Sequence, residues 1–378
     1  MIRFAVVGIG RMGERHAENL AKKRVKGARL VAVADLSPEK LKAFCERYKG
    51  VAPFLDYKEM FEKVKPDAVV VATPHYSHVP IAIDAMKAGI NPLSEKPAAV
   101  SVSEAARAIA ESEKYKELIY GIVYNQRTNR MYRKAKELLD SGVMGKVKRV
   151  NFIVTGWYRA QCYYNAGGWR ATWNGEGGGI LINQCVHQLD ILTTLLGLPE
   201  RITASARTVN RNITVENEVQ ALIEYPGFKC QFTALGHELK GVDRLEIACD
   251  KGRIVIENYK MKYYLFKKSE GEVNAQTKTG YGSVGRKKRR VGYGFFNAIR
   301  DITLGQQINI LRNYTKALEC KTELVAPGAD GIKALELING IYLSAYKKAP
   351  IGLPLDPAEY DAFLEEMKKK ELENARRI

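Results

Sequence analysis

The chain offers little sulfur chemistry. Its six cysteines (Cys45, Cys162, Cys185, Cys230, Cys249 and Cys320) are scattered through 378 residues, with no CxxC pair and no Cys/His cluster at metal-ligand spacing. Reduced thiols and no metal centre are expected. No apolar run approaches the length of a membrane span. Met1 to Val7 enters a strand-like run at once, without the basic leader, apolar core and cleavage site of an export signal. A cytoplasmic location without a membrane partner is the expectation. Acid is also scarce, with 42 Asp and Glu against 60 Lys and Arg, for a formal net charge of +18. Such an excess suits nucleic acid, an anionic substrate or an anionic cofactor. Its distribution argues against the first, because the bases are spread out and often sit beside acids, as in Ser112-Glu113-Lys114-Tyr115-Lys116-Glu117. The one dense run, Arg286-Lys287-Lys288-Arg289-Arg290, reads first as a solvated loop and second as an anion site. Internal repeats and low-complexity tracts are missing as well.

What is present is an ordinary globular composition, 46% hydrophobic and 27% charged, on a chain longer than one core usually organises. The first third alternates continuous apolar runs (Phe4 to Val7, Leu30 to Ala34, Ala68 to Ala72, Leu118 to Tyr124) with helical segments, the pattern of a parallel sheet covered on both faces. Past Asn125 the character changes. Strand-like runs then recur without intervening helices from Ile202 to Lys267, which implies a mostly antiparallel sheet. Gly156 to Gly179, rich in Gly, Trp, Tyr and Asn, reads as a functional loop, and Gly271 to Gly294 as a mobile one. Helices at Gln306 to Leu318 and Ile332 to Lys347 precede a charged tail. The expected division is a dinucleotide-binding domain over 1–124, a substrate and oligomerisation domain over 125–355, and a charged tail helix over 356–378.

Gly8-Ile9-Gly10-Arg11-Met12-Gly13 fits GxGxxG directly after the first strand and opens the first helix. There the glycines admit a pyrophosphate and close helix packing, and the helix N-terminus supplies amides to the anion. Asp35 ends the second strand 22 residues after Gly13, where a carboxylate accepts from a ribose diol and repels a 2′-phosphate. NAD is therefore favoured, with NADP left open because Lys40 stands close by. Thr73 and Pro74 end the strand beside which the ligand crevice of such a sheet opens. His75 and His78 follow, as cap or surface residues or as neighbours of ribose or nicotinamide. Lys96, between Glu95 and Pro97, ends a strand-like segment, biased toward an extended conformation by the proline, and on spacing alone reads as a surface lysine.

The second cluster is Gly177 to Asp190. Read as a helix, it places Asn183 and His187 one turn apart, Asp190 on the next turn, and Ile182, Val186, Leu189 and Leu192 toward a core. Its three leading glycines let backbone approach something bulky. The alternative is a buried amphipathic helix with one hydrogen-bonded histidine.

In order, the GxGxxG turn, Asp35, Thr73-Pro74 with His78, Glu95-Lys96-Pro97 and the GGG-helix-His-xx-Asp resemble the Gfo/Idh/MocA family of NAD(P)-dependent sugar and polyol oxidoreductases. The resemblance spans nearly the whole chain. It implies a Rossmann domain followed by an α/β domain with a large open, mostly antiparallel sheet, used in homodimers or homotetramers. It also implies a site built on Lys96 and His187, with Asn183 where the family commonly has aspartate. The expected reaction is oxidation of a secondary hydroxyl of a sugar, polyol or glycoside, with Lys96 polarising the oxygen, His187 taking its proton and Asn183 orienting it. Cofactor contacts are expected from Gly8, Ile9, Gly10, Arg11, Met12, Asp35, Thr73, Pro74, His78, Glu95, Lys96 and Asn125. Substrate contacts are expected from Arg127, Tyr158, Trp169 and Arg170, with Trp157 and Trp173 in the same loop. For Asn125 and Arg127 a fold-holding role stands equal, and Asp190 reads as structural. Redox-neutral glycoside cleavage through a keto-sugar and a non-catalytic NAD sensor are the competing functions.

Overall fold

The computed structural model describes residues 1–258, 260–292 and 305–375. The first unit is a six-stranded parallel sheet in the order β3-β2-β1-β4-β5-β6, made of β1 (Ile2–Val7), β2 (Ala28–Ala34), β3 (Ala52–Phe54), β4 (Ala68–Val71), β5 (Asn91–Ser94) and β6 (Gly121–Ile122). Central β4 is an unbroken Ala-Val-Val-Val run buried on both faces, as a parallel strand between helical layers requires. Helices α1 (Arg11–Ala21), α2 (Pro38–Arg47), α3 (Tyr57–Val64), α4 (His78–Lys87) and α5 (Val102–Ser112) cover it. Ser37 caps α2 by accepting from the Lys40 amide at 3.3 Å, with Pro38 at the first helical position, as the sequence indicates. The short β3 and α3 carry too little apolar pattern to stand out in the sequence.

The second unit follows α6 (Arg130–Asp140) and is a nine-stranded sheet in the order β14-β13-β12-β11-β7-β10-β9-β8-β15. Its strands are β7 (Val147–Val154), β8 (Arg201–Arg207), β9 (Glu218–Tyr225), β10 (Phe228–Leu235), β11 (Asp243–Cys249), β12 (Gly252–Glu257), β13 (Lys260–Phe266), β14 (Arg286–Gly292) and β15 (Ile351–Gly352). All neighbours are antiparallel except β7 and β10, which run parallel with Phe152 beside Phe232. Alternate residues bury one face (Val150, Phe152, Val154, Val219, Ile223, Phe232, Ile247 and Ile254) against α8 (Val186–Leu196) and the later helices. The other face, with half-buried Ile153, Leu222 and Val255, is uncovered in the single chain.

The stretch expected as a mobile loop, 271–294, is corrected within its described part. Ser269 forms a capping box with Glu272, starting α9 (Glu270–Gln276), and the dense basic run is the edge strand β14. Charge hides strand character here, since an edge strand tolerates and uses cations. Arg286 and Lys288 lie over the Tyr264 ring at 5.2 and 5.9 Å. Residues 293 and 294 lie outside the described residues.

The chain then returns to the first sheet. In α10 (Gln306–Leu318), Tyr314 is fully buried against Phe4 with ring centroids 6.2 Å apart, and its hydroxyl donates to the Ile119 carbonyl at 2.7 Å. Helix α11 (Gly331–Lys347) ties both units together. Asn339 accepts from the Val102 amide at 3.0 Å, and Ser344 accepts from the Ala204 amide at 2.9 Å. The charged final segment is helix α12 (Pro357–Ala375), with Tyr360, Phe363 and Leu364 buried. One continuous apolar cluster runs from Phe4 through Val186 to Leu364 and joins the two units. Among the described residues, no helix is long and apolar enough to cross a membrane.

Candidate active site

The turn between β1 and α1 is a cradle. A Cβ on Gly13 would lie 1.7 Å from the Gly8 carbonyl oxygen, so only glycine lets α1 pack this tightly, whereas a Cβ on Gly10 would meet open space. Gly10 begins α1 with no side chain capping its first amides, which leaves them available to an anion. Asp35 binds the turn from β2, accepting from the Ile9 amide at 2.8 Å and the Ser37 amide at 3.0 Å, with Lys40 Nζ at 3.9 Å. The donors and the carboxylate fit a dinucleotide with a free ribose diol. They open into one cleft of about 1040 Å³ that runs on to Lys96, Asn183 and His187.

Beyond β4, the Thr73 to Ser77 loop holds the two units together. His75 is buried with Nδ1 2.8 Å from the Glu176 carbonyl, and Tyr76 donates to the Trp173 carbonyl at 2.7 Å. Burial pushes the His75 pKa well down. His78 spans the carbonyls of Pro97 and Thr73, each at 2.8 Å, and so holds the Lys96-Pro97 turn in place although it borders the cleft. Glu95 pairs with buried His16 at 2.7 Å. Burial pushes the Glu95 carboxyl up, but the His16 hydrogen bond and Lys96 outweigh it and hold the pKa below the usual range. Burial lowers the Lys96 pKa, against the opposing pull of Glu95 and Glu176.

The opposite wall is the segment after the three glycines. Each is a close approach: a Cβ on Gly178 would lie 2.1 Å from the Tyr342 hydroxyl, one on Gly179 2.0 Å from the Glu216 carbonyl oxygen, and one on Gly177 2.8 Å from Val100 Cγ1. Glu216 caps the helical run by accepting from the Gly179 amide at 3.0 Å, the Leu181 amide at 2.9 Å and the Tyr342 hydroxyl at 2.9 Å. Leu181–Cys185 is a π-helical turn, which the sequence reading had as α-helix, and α8 continues from it. Ile182, Val186, Leu189 and Leu192 are buried as the spacing predicts.

Lys96 Nζ donates to the Asn183 carbonyl at 2.6 Å and reaches Asn183 Oδ1 at 3.5 Å. The Asn183 amide donates in turn to Glu176 and lies 3.5 Å from the Tyr163 hydroxyl. His187 borders the cleft, edge-on to Tyr124 with centroids 6.5 Å apart, and its Nδ1 is shut off from solvent with no partner. Burial, and then Lys96, push its pKa down to about 3, so the ring is a neutral proton acceptor at ordinary pH.

Gly8, Gly10, Arg11, Met12, Asp35, Thr73, Pro74, His78, Glu95, Lys96, Asn125, Trp169, Arg170, Asn183 and His187 all border this cleft. Three of the expected contacts do not border it. Arg127 is buried and committed to Asp190 at 2.6 Å and Asp330 at 2.7 Å, which favours the fold-holding alternative. Tyr158 points away, with Arg211 over its ring at 5.3 Å, and Trp157 takes the cleft position. Ile9 buries its side chain and spends its amide on Asp35. Sequence reasoning missed Glu176, Tyr163 and Arg159. All three fall in the aromatic-rich loop, where no spacing rule singles them out, and α7 (Gln161–Asn165) gives that loop the structure it was not expected to have.

Residues 2–122 match the oxidoreductase family with an NAD-binding Rossmann fold, and residues 132–255 match the GFO/IDH/MocA C-terminal domain. The chain is 25% identical over 361 residues to myo-inositol 2-dehydrogenase of Thermotoga maritima, covering 93% of this chain and 98% of that protein. It is 35% identical over 202 residues to scyllo-inositol 2-dehydrogenase (NAD(+)) of Bacillus subtilis, covering 52% of this chain and 54% of that protein. Among solved structures it resembles the WlbA dehydrogenase of Bordetella pertussis in complex with NADH and UDP-GlcNAcA. That match has 26% identity and a TM-score of 0.77 over 94% of this chain and 99% of that one.

Proposed function

Since the chain belongs to the Gfo/Idh/MocA family of NAD-binding oxidoreductases, we propose that it oxidises a secondary hydroxyl of a sugar, polyol or glycoside. The observation that carries the reading is the convergence of Lys96, Asn183 and His187 on the cleft that begins at the Gly8 to Gly10 turn. NAD supplies the hydride acceptor when bound; the chain's own groups do the rest. Lys96 donates a hydrogen bond to the substrate oxygen, in exchange for its contact with the Asn183 carbonyl. Neutral His187 takes the hydroxyl proton, and the charged Lys96 stabilises the negative charge that builds on that oxygen. Asn183, fixed by Glu176, keeps the lysine aimed. The named activities of the inositol dehydrogenase relatives support the same substrate class.

NAD is the preferred cofactor in this reading, because Asp35 stays in the ribose position and repels a 2′-phosphate. The uncovered face of the nine-stranded sheet pairs with a second copy, giving a dimer or tetramer that light scattering would measure. The test of function is a screen of sugars, polyols and glycosides with NAD and NADP, following both reduced cofactor and aglycone release. Accumulation of NADH with a free sugar or polyol is the expected result. Aglycone release without NADH, or no turnover at all, overturns it.

A further inference from the structure

Among the cleft cations, Arg159 combines partial burial with the lack of a counter-charge among the described residues. Arg159 lies on the cleft wall, half-buried, with its guanidinium over the rings of Tyr163 at 4.7 Å and Trp157 at 5.4 Å. Its hydrogen bond runs from Nη1 to the Tyr158 carbonyl at 3.1 Å, and Nε is shut off from solvent with no partner. Among the described residues no carboxylate comes within ion-pair distance of it. Arg170 stacks over the same Tyr163 ring at 5.3 Å, yet is paired with Glu176 at 3.5 Å. Holding a guanidinium out of bulk water without an anion costs free energy, and here stacking on two aromatic faces only partly offsets it.

Beside Arg159, the Tyr163 hydroxyl is ringed by donors. The Tyr163 hydroxyl faces Arg170 Nη1 at 3.2 Å, Gln184 Nε2 at 3.3 Å and Asn183 Nδ2 at 3.5 Å. The local carboxylate, Glu176, is already engaged by the Ala171 amide at 2.7 Å and by Asn183. With Nε turned inward, Arg159 presents the Nη1–Nη2 end of its guanidinium, and two N–H donors side by side match a carboxylate or a phosphoryl group. Tyr163 links the two ends: its ring carries Arg159, and its hydroxyl reaches the Asn183 that meets Lys96.

Resting on the dehydrogenase reading above, we propose that the substrate is an anionic sugar derivative. Its oxyanion is held by Arg159, one phenol ring away from the hydroxyl that Lys96 and His187 act on. The oxyanion belongs either to a sugar acid or to a sugar phosphate, and both present the same two acceptor oxygens to the guanidinium.

The test is calorimetric titration of the full chain loaded with NADH, which cannot accept a hydride, with glucose, glucuronate and glucose 6-phosphate, at low and high salt, in wild type and in Arg159→Gln and Arg159→Lys. Wild type is expected to bind one anion at least tenfold tighter than glucose, with the gap narrowing as salt rises. Whichever of glucuronate and glucose 6-phosphate wins identifies the source of the oxyanion. Arg159→Gln should remove most of that gap and Arg159→Lys should keep part of it. Equal binding of all three ligands by wild type, or a gap unchanged in Arg159→Gln, overturns the proposal; should the glutamine variant not fold, the lysine variant and the salt dependence decide. Binding is thus read without turnover, a parallel assay with NAD reads oxidation, and the two readings fail separately. Tight anion binding through Arg159 with no NADH formed rejects the dehydrogenase and keeps the anion site. Oxidation of neutral and anionic sugars with equal kcat/KM does the reverse.

Discussion

Lys96 Nζ meets the backbone carbonyl of Asn183 at 2.6 Å, across the seam between the two sheets. The lysine ends the segment after β5 and the carbonyl belongs to the π-helical turn, where the regular α-helical ladder is interrupted. On the proposed function, the contact aims the ammonium at the substrate oxygen. Lys96→Ala is therefore expected to lower kcat by about a hundredfold or more. Lys96→Arg should not restore it, because a planar guanidinium cannot take the position of a compact ammonium. Steady-state kinetics on the best substrate of the screen checks both.

Asn183 donates its side-chain amide to Glu176, a carboxylate beside it on the cleft wall. Burial raises the Glu176 pKa, against the Ala171 amide, Arg170 and Lys96. In Asn183→Asp a donor becomes a second carboxylate, and the pair must share a proton to stay together. Such a group has a folded-state pKa above its unfolded value. Its contribution to stability is present at low pH and lost as pH rises through the folded pKa. The variant should match wild type in denaturant midpoint near pH 5 and fall below it near pH 8; equal midpoints at both pH values would reject the pairing.

How far these residues were legible depends on how local their cause is. The GxGxxG turn, the Ser37 cap and the Val-rich β4 are dictated by neighbours in sequence, so each could be read directly. Helical spacing places Asn183 and His187 one turn apart, whereas Lys96 stands out only through the ordered motifs that resemble the family, since spacing alone reads it as a surface lysine. Glu176, Tyr163 and Arg159 owe their positions to contacts far along the chain: His75 reaching the Glu176 carbonyl, and Glu371 on α12 accepting from the Trp173 and Asn174 amides at 2.9 Å each. The choice between the two roles open to Arg127 was illegible for the same reason. Its partners lie 63 and 203 residues away.

Asp35 sets cofactor choice through two bonds at once, to the glycine turn and, on this reading, to the ribose. Asp35→Ser removes the charge that repels a 2′-phosphate while Lys40 and Arg11 remain nearby. The ratio of kcat/KM for NADP over NAD should rise by about tenfold or more, in line with removal of one charged contact worth roughly 1.5–3 kcal/mol. Loss of the Ile9 amide's partner should cost about 1 kcal/mol of stability in the same variant. An unchanged cofactor ratio would show that Asp35 only shapes the turn.

The Arg127 pair predicts a stability effect where a substrate contact would predict a KM effect. Asp190 is fully buried and receives two bonds from the guanidinium, at 2.6 Å from Nη2 and 3.0 Å from Nε. Arg127→Met leaves that carboxylate without its cation, at a cost of about 3–5 kcal/mol. The double variant Arg127→Met with Asp190→Leu should recover much of the loss, because a buried ion pair replaced by apolar groups is often neutral. Urea unfolding of the three variants measures this, and a large KM change at unchanged stability in Arg127→Met would return the residue to the substrate site.

Glu216 offers the sharpest separation of fold from chemistry. Its carboxyl holds the Gly179 and Leu181 amides and the Tyr342 hydroxyl, so it fixes where the helical run begins, one turn ahead of Asn183 and two ahead of His187. Burial pushes its pKa up to about 7 against those three donors. Glu216→Gln keeps the shape but turns one acceptor into an NH2 group facing a donor, which should cost about 1–3 kcal/mol. Glu216→Ala orphans all three donors and should cost more. Because Glu216 does not border the cleft, its effect on catalysis passes through the helix. If that is so, kcat in Glu216→Gln falls while affinity for NAD, measured by titration, stays within about twofold. A variant that lost stability but kept full kcat would show that the π-helical turn holds Asn183 in place without its cap.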